Sequence, residues 1–419
     1  MKTCLEMKEI FENSVKAGRG LHSTTDARRS ALLEKLSGKL VRLQENILSA
    51  NRQDLARMDK SNPLYDRLLL DEKRITGIAS DMKNVAGLND PTGRVLEERI
   101  LPNGLKLRKV SVPFGVIGII YEARPNVTFD VFSLCFKSGN ACILKGGRDA
   151  DSTNAASVSL IRETLEESGF DPNLVTLLPS THEAVDELMH ATGYVDLVIP
   201  RGGRRLIDSV RENCRVPYIE TGAGVVHAYF DKGGDLKMGQ SIINNAKTRR
   251  VSVCNALDCL LIHKDALVLL PQLCSPLAAS SVELLCDEES YRALQGSYTG
   301  SLLLHATDAS YGTEFLSYRM AVKTVGSLQE AIEHINRFGS GHSECIITDD
   351  KAAAEAFQRE VDAACVYVNA PTSFTDGAQF GMGAEIGIST QKLGARGPMS
   401  LPELTTYKWL IEGEGQVRP

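Results

Sequence analysis

Apolar residues recur at three- and four-residue steps from Leu32 through Leu36, Leu40 and Leu43 to Ile47, the stripe of an amphipathic helix. Thr24, Thr25 and Asp26 stand where its N-cap belongs. Further helical character follows Asn51, so residues 1–90 read as helices. The pattern changes at 94–112, RVLEERILPNGLKLRKVSV, where apolar and polar residues alternate around Asn103-Gly104. That alternation predicts paired strands, and Asn-Gly predicts a type I′ turn between them. From residue 114 short apolar runs alternate with helical segments. Strands are predicted at 116–120, 141–144, 174–178, 195–199 and 217–219, with helices at 151–168 and 182–191. The pattern restarts beyond residue 250, with strands near 257–262, 300–304, 343–347 and 364–368 and helices near 327–338 and 350–361. Strands separated by helices imply mostly parallel sheets with helices on both faces, hence two α/β units. Residues 371–399, rich in Gly, Ser and Thr without periodicity, read as loops.

Composition narrows the class without changing that picture. The 419 residues suit two or three domains at roughly 150 residues each. With 43% hydrophobic and 24% charged residues the chain is of ordinary globular type. A net charge of −6 lacks the basic character that nucleic-acid binding favours. The charged start, MKTCLEMKEIFENSVKAGRG, predicts no secretory signal, and no apolar run reaches the roughly 18 residues of a membrane span. The expectation is a cytoplasmic protein. Ten cysteines show no CxxC and no metal-type spacing, so reduced thiols and no metal site are expected.

Three constellations carry chemistry. No G-x-G-x-x-G follows a strand, but VDLVIPRGGRR runs from a strand through Gly202-Gly203 into a helix, whose first N–H groups suit a phosphate. An ordinary strand–helix turn has the same sequence. The strand at 141–144 ends in Lys145-Gly146-Gly147-Arg148, where doubly wound folds hold a dinucleotide ribose. Basic residues there suit the extra phosphate of NADP, or simply a solvated loop. In NNAKTRRVSVCNA, Lys247, Arg249 and Arg250 closely precede Cys254. Nearby cations favour a thiolate nucleophile and also suit an anionic substrate. A cysteine is more often a buried spectator, but Cys254 is the one beside such a charge cluster. Glu220, after the 217–219 strand, is either a general base or a surface ion-pair residue. His227 reads as a core or lining residue.

Four blocks, 112–147, 198–222, 247–256 and 366–409, together resemble the gamma-glutamyl phosphate reductases. These are the glutamate-5-semialdehyde dehydrogenases of proline biosynthesis, within the aldehyde dehydrogenase superfamily. The resemblance runs over nearly the whole chain, and FTDG, GAEIGISTQKL and ARGPM are distinctive of that family. It departs at Ala223-Gly224-Val225-Val226, where the family usually has glycine, asparagine and cysteine before the histidine.

The resemblance implies an aldehyde dehydrogenase-like fold of two doubly wound α/β domains plus a β-hairpin and C-terminal oligomerisation element. Residues 1–93 and 113–248 would bind the dinucleotide, 249–394 would carry the nucleophile, and 94–112 with 395–419 would join a homodimer or homotetramer. It implies Cys254 as nucleophile, Asn126 as oxyanion donor, Lys145, Arg148 and Gly202-Gly203 at the cofactor, and Glu314 at the nicotinamide ribose. Glu220 takes the place of the superfamily base, whose hydrolytic task a reductase does not need. Arg249 and Arg250 are candidates for the substrate's anionic groups. The expected reaction is NADPH-dependent reduction of L-glutamyl 5-phosphate to the semialdehyde through a Cys254 thioester, with a glutamate kinase as possible partner. A related acyl-CoA reductase, an aldehyde-oxidising dehydrogenase and a non-catalytic partner-binding homologue are the alternatives.

Overall fold

A computed structural model describes residues 2–62, 65–122 and 124–418, the side chains of 2–5 and 204 excepted. The helices of the first ninety or so residues are α1 (Lys2–Leu21), α2 (Asp26–Arg42), α3 (Gln44–Leu55), α4 (Tyr65–Leu68) and α5 (Glu72–Gly87). Then come β1 (Val95–Ile100), β2 (Lys106–Pro113), β3 (Val116–Tyr121), α6 (Val127–Lys137), β4 (Ala141–Lys145) and α7 (Asp151–Glu167). They are followed by β5 (Val175–Leu177), α8 (His182–Met189), β6 (Leu197–Arg201) and α9 (Arg204–Asn213). The next stretch holds β7 (Val226–Phe230), α10 (Leu236–Thr248), β8 (Leu257–His263), α11 (Leu270–Ala279), β9 (Glu283–Cys286), α12 (Glu288–Leu294) and β10 (Leu303–His305). Last are β11 (Arg319–Val325), α13 (Leu328–Phe338), β12 (Ser343–Ile347), α14 (Lys351–Glu360), β13 (Cys365–Val368), β14 (Gly387–Ser389), β15 (Gly397–Met399) and β16 (Thr405–Glu412).

The chain forms two compact units. The first holds the described residues up to Thr221, Gly381–Gly387 and those from Met399 on; the second holds Gly222–Phe380 and Ile388–Pro398. The division at 221/222, not 248/249, follows from hydrogen bonding. β7 lies between β8 and β12, so it and the helix after it belong with the second sheet.

In the first unit, β5-β4-β3-β6 form a parallel sheet, and β3 is buried along its whole length. The chain steps outward from β3 to β5 and returns to the other side of β3 as β6. Strand order therefore reverses between β3 and β6, the place where open α/β sheets bind ligands beyond the strands' carboxyl ends. The stripe read as one helix is two. Leu32, Leu36 and Leu40 are buried on α2, but Leu43 is exposed with non-helical backbone, and α3 starts after it with Ile47 buried. Asp54 of α3 accepts from Thr153 N (2.8 Å) and Ser152 N (3.1 Å), capping α7, which has no side-chain cap of its own.

The predicted hairpin is present as β1–β2, and β16 pairs antiparallel along β2, making a three-stranded sheet. Its turn is not type I′. Gly104 N donates to Leu101 O, Leu101 N donates to Leu105 O, and Gly104 alone has positive φ (+88°). That is a type I turn closed by a glycine bulge. Pro102 suits the first central position of that turn because its ring holds φ near −65°, and Asn103 does not adopt the positive φ that a type I′ turn centred on Asn103-Gly104 needs.

The second unit is built on a parallel seven-stranded sheet, β10-β9-β11-β8-β7-β12-β13. Of these, β7, β9 and β11 fall outside the predicted strands. The predicted strand at 217–219 is a single bridge, Val198 to Tyr218. Within 371–399, loops predominate, with the three-residue β14 and β15 paired to each other.

Candidate active site

Cys254 lies on the loop between α10 and β8, half-buried, at the amino end of the second unit's sheet. Its loop is fixed from both flanks. On one side the chain entering β7 passes so close that a Cβ on Gly224 would stand 1.5 Å from the Cys254 carbonyl oxygen. Gly224 N donates to Glu314 Oε1 (3.0 Å), and Val225 N donates to Ser340 Oγ (2.9 Å). On the other side Asn255 is buried, its Nδ2 donating to Thr375 O (2.9 Å) and its carbonyl accepting from Thr372 Oγ1 (2.9 Å). Thr375 Oγ1 in turn shares hydrogen bonds with Ser343 Oγ and Tyr367 OH, each 2.7 Å. The FTDG block thus acts as a clamp on the residue after the cysteine.

The three cations read as flanking Cys254 part company. Lys247 is wholly buried, donates to Leu257 O (2.8 Å) and lies 3.9 Å from Asp258 Oδ1. Burial pushes the Lys247 pKa down and the Asp258 pKa up, while each one's charge opposes the other's shift. Asp258 Oδ1 also accepts from Phe315 N (3.1 Å), next to Glu314. Lys247 is therefore a structural cation that joins α10 to β8, while Arg249 and Arg250 are exposed at the end of α10. Most other thiols differ in kind. Burial raises the pKa of Cys135, Cys259 and Cys286, and pushes Cys274 and Cys345 up to about 12; for Cys135 a contact with Cys142 contributes most. Half-exposed Cys214 is also raised by burial. The Cys4 side chain lies outside the described residues.

The remaining sequence-derived residues belong to the first unit. Lys145 ends β4 with 9% of its surface exposed. Burial and then the Arg148 charge lower its pKa, Asp151 opposing, so two cations converge at this strand end. At the point of strand-order reversal, the Gly203 N–H is already given to Glu122 Oε2 (2.8 Å). The helix start offered to a phosphate is thus faced by the protein's own carboxylate, which the sequence signalled as an acid directly after the β3 run. Asn126 Nδ2 donates to Asp130 Oδ2 (2.8 Å), whose carboxyl burial pushes up to about 7. Glu220 is held by Arg211 through two bonds, Nε to Oε1 (2.5 Å) and Nη2 to Oε2 (3.2 Å). That two-bond pair occupies both carboxylate oxygens.

No described helix is long and apolar enough to cross a membrane. Residues 310–409 match the model of the aldehyde dehydrogenase family. A gamma-glutamyl phosphate reductase of Bacteroides thetaiotaomicron is 60% identical over 402 residues, 96% of each chain. The chain belongs to the gamma-glutamyl phosphate reductases. A member from Pelodictyon phaeoclathratiforme is 58% identical, covering 99% of this chain and all of its own. The crystal structure of the Thermotoga maritima member superimposes with a TM-score of 0.95 at 41% identity, covering 99% of this chain and 100% of that one. An acetylating aldehyde dehydrogenase of Geobacillus thermoglucosidasius shares the fold at 17% identity, with a TM-score of 0.71. The chain is accordingly an oxidoreductase with the aldehyde dehydrogenase-like α/β fold and acts on a small molecule with a nicotinamide cofactor.

Proposed function

We propose that the protein is a cytoplasmic enzyme of proline biosynthesis that reduces L-glutamyl 5-phosphate to L-glutamate 5-semialdehyde and phosphate, using NADPH. The observation that carries this reading is 60% identity to a gamma-glutamyl phosphate reductase over nearly the full chain, with one half-buried cysteine clamped by the family's FTDG block. The Cys254 thiolate attacks the acyl carbon, the carbon–oxygen bond to phosphate breaks, and phosphate leaves with the electron pair. A thioester accepts hydride far better than a carboxylate does, which is the purpose of the covalent step. Bound NADPH supplies that hydride. Collapse of the thiohemiacetal breaks the carbon–sulfur bond, releases the aldehyde and returns the thiolate.

Asn126 and the Cys254 N–H serve as oxyanion donors in this scheme. Arg249 and Arg250 attract the substrate's anionic groups, and Glu314 holds the nicotinamide ribose. Lys145 and Arg148 fit the phosphate of NADPH, since an added anion offsets the burial and the Arg148 charge that lower the Lys145 pKa. Gly202-Gly203 is the second proposed cofactor contact, at the helix start whose Gly203 N–H is here given to Glu122. A glutamate kinase supplies the labile acyl phosphate.

The test is NADPH oxidation in the presence of glutamate, ATP and a glutamate kinase, with phosphate release above that of an NADPH-free control counted against NADPH consumed. Equal yields and no turnover of glutaryl-CoA are expected. Turnover of the CoA ester in preference would make the enzyme an acyl-CoA reductase. Catalytic efficiency should favour NADPH over NADH at least tenfold, about 1.4 kcal/mol, and Lys145→Ala should erase most of that preference. Equal use of both cofactors by the wild type would refute the role of the basic pair.

A further inference from the structure

Away from Cys254, the second unit's sheet carries a row of side chains unusual for a core. Glu344 on β12, His227 on β7 and Cys259 on β8 are direct register partners across three adjacent strands. His334 of α13 closes over them, its ring edge-on to His227 at 5.6 Å between centroids. All four are buried, three of them completely. The donor atoms of His227, Cys259 and His334 lie within 4.8 Å of one another.

Among the described residues, neither Nε2 of His334 nor Oε1 of Glu344 has a hydrogen-bond partner, and the His227 ring nitrogens, near the backbone of Val225 and Tyr311, make no well-formed hydrogen bond. Buried polar atoms are nearly always satisfied, so four unsatisfied ones in one cluster call for a physical reason. Both imidazoles are buried beside the Cys259 thiol, their ring nitrogens turned into the cluster rather than to bulk water. Glu344 Oε2 accepts from His227 N (2.7 Å) and lies 3.3 Å from His227 Nδ1. A carboxyl oxygen behind Nδ1 leaves Nε2 as the ligating atom, an arrangement that orients a metal-bound histidine.

We propose that His227, Cys259 and His334 form a binding site for a borderline-soft divalent cation of the zinc class, with Glu344 orienting His227. Two imidazoles and a thiolate are three of the four ligands such a cation takes, and the fourth position falls to water. Ligands of a tetrahedral zinc site stand roughly 3.3–3.8 Å apart, so the cluster contracts by about 1 Å on binding. His334 lines a cavity of about 340 Å³ with Asp308, Glu330, Glu333, Lys323 and Arg337, which gives a cation a path to the cluster from solvent. The Cys259 proton is released to solvent as the sulfur–metal bond forms. The cation then ties α13 to β7 and β8 and stabilises the unit.

The experiment is titration of metal-free protein with cobalt(II), followed by zinc(II). The expected result is one equivalent giving the intense visible bands of tetrahedral cobalt with a thiolate charge-transfer band, displaced by zinc and accompanied by a rise in Tm. Cys254→Ala should keep both bands. Cys259→Ala should lose the charge-transfer band, and His334→Gln should weaken binding at least tenfold. If Cys259→Ala fails to fold by circular dichroism, His334→Gln, at the rim of the cavity, carries the comparison. Absence of tetrahedral bands in the wild type, or their loss in Cys254→Ala with retention in His334→Gln, would overturn the proposal.

Discussion

Gly224 has no room for a side chain, because the Cβ of any other residue would fall inside the Cys254 carbonyl. Gly224→Ala must therefore displace the nucleophile's loop. A displacement of about 1 Å costs on the order of 100-fold in rate, so kcat/KM should fall by that much while the far-ultraviolet spectrum is unchanged. A variant of wild-type activity would show that the loop's placement does not matter. Cys254 itself should be alkylated first, because most other thiols are either fully buried or raised in pKa. Limited iodoacetamide treatment followed by peptide mapping should find about one equivalent on Cys254 as activity is lost. Labelling of another cysteine in step with inactivation would displace it as nucleophile. At this scale the sequence was partly readable. Cys254 stood out beside its charges, but Lys247 turned out to face Asp258, because proximity in sequence does not say which way a helix-end side chain points. Glu220's partner Arg211 lies nine residues back, across a helix and a loop, and no local pattern announces such a pair.

Elements were legible where one physical rule acted alone. Helices α7, α8, α13 and α14 lie within two residues of their predicted bounds, since each has a clear apolar stripe between polar ends. The hairpin's existence was readable from alternation, whereas its turn type required weighing Pro102 against Asn-Gly. β9 spans only four residues, and β11 carries Arg319 and Lys323 within its apolar run, so neither shows the unbroken apolar stretch by which β3 and β8 are legible. β1 and β16 form the two edges of their sheet and expose Val95, Leu96 and Ile100 on one and Tyr407, Trp409 and Ile411 on the other. Exposed apolar edges invite pairing, and a second copy of the chain is the proposed occupant. Sedimentation should find a dimer or dimer of dimers at micromolar concentration, and Ile411→Lys should shift it toward monomer. A monomeric wild type would rule the assembly out.

For the whole molecule, acid is the condition that tests the buried histidines. His342 has Nε2 buried without a partner among the described residues, and burial pushes its pKa down to about 4. Between that value and the ordinary 6.5 the unfolded chain holds a proton that the folded one does not, so stability falls as pH falls. His342→Gln removes this term. Urea unfolding at pH 4.5, 5.5 and 6.5 should show the wild type losing up to about 1.4 kcal/mol per pH unit relative to the variant. A difference independent of pH would mean that His342 does not titrate with folding. The two-unit α/β organisation was readable from the alternation of strands and helices, but the position of the division was not, since only the sheet's strand order assigns β7. That first unit is also discontinuous, and its three-stranded sheet joins residues far apart, as the ion pair between Arg108 and Glu412, 304 positions away, shows. During synthesis, β2 must wait on the order of 15–60 s for the strand that completes it, while the intervening unit emerges and closes on itself. Lys106, Arg108 and Lys109 charge the strand in that interval, so the same side chains that line the finished sheet keep its nascent edge from recruiting other chains.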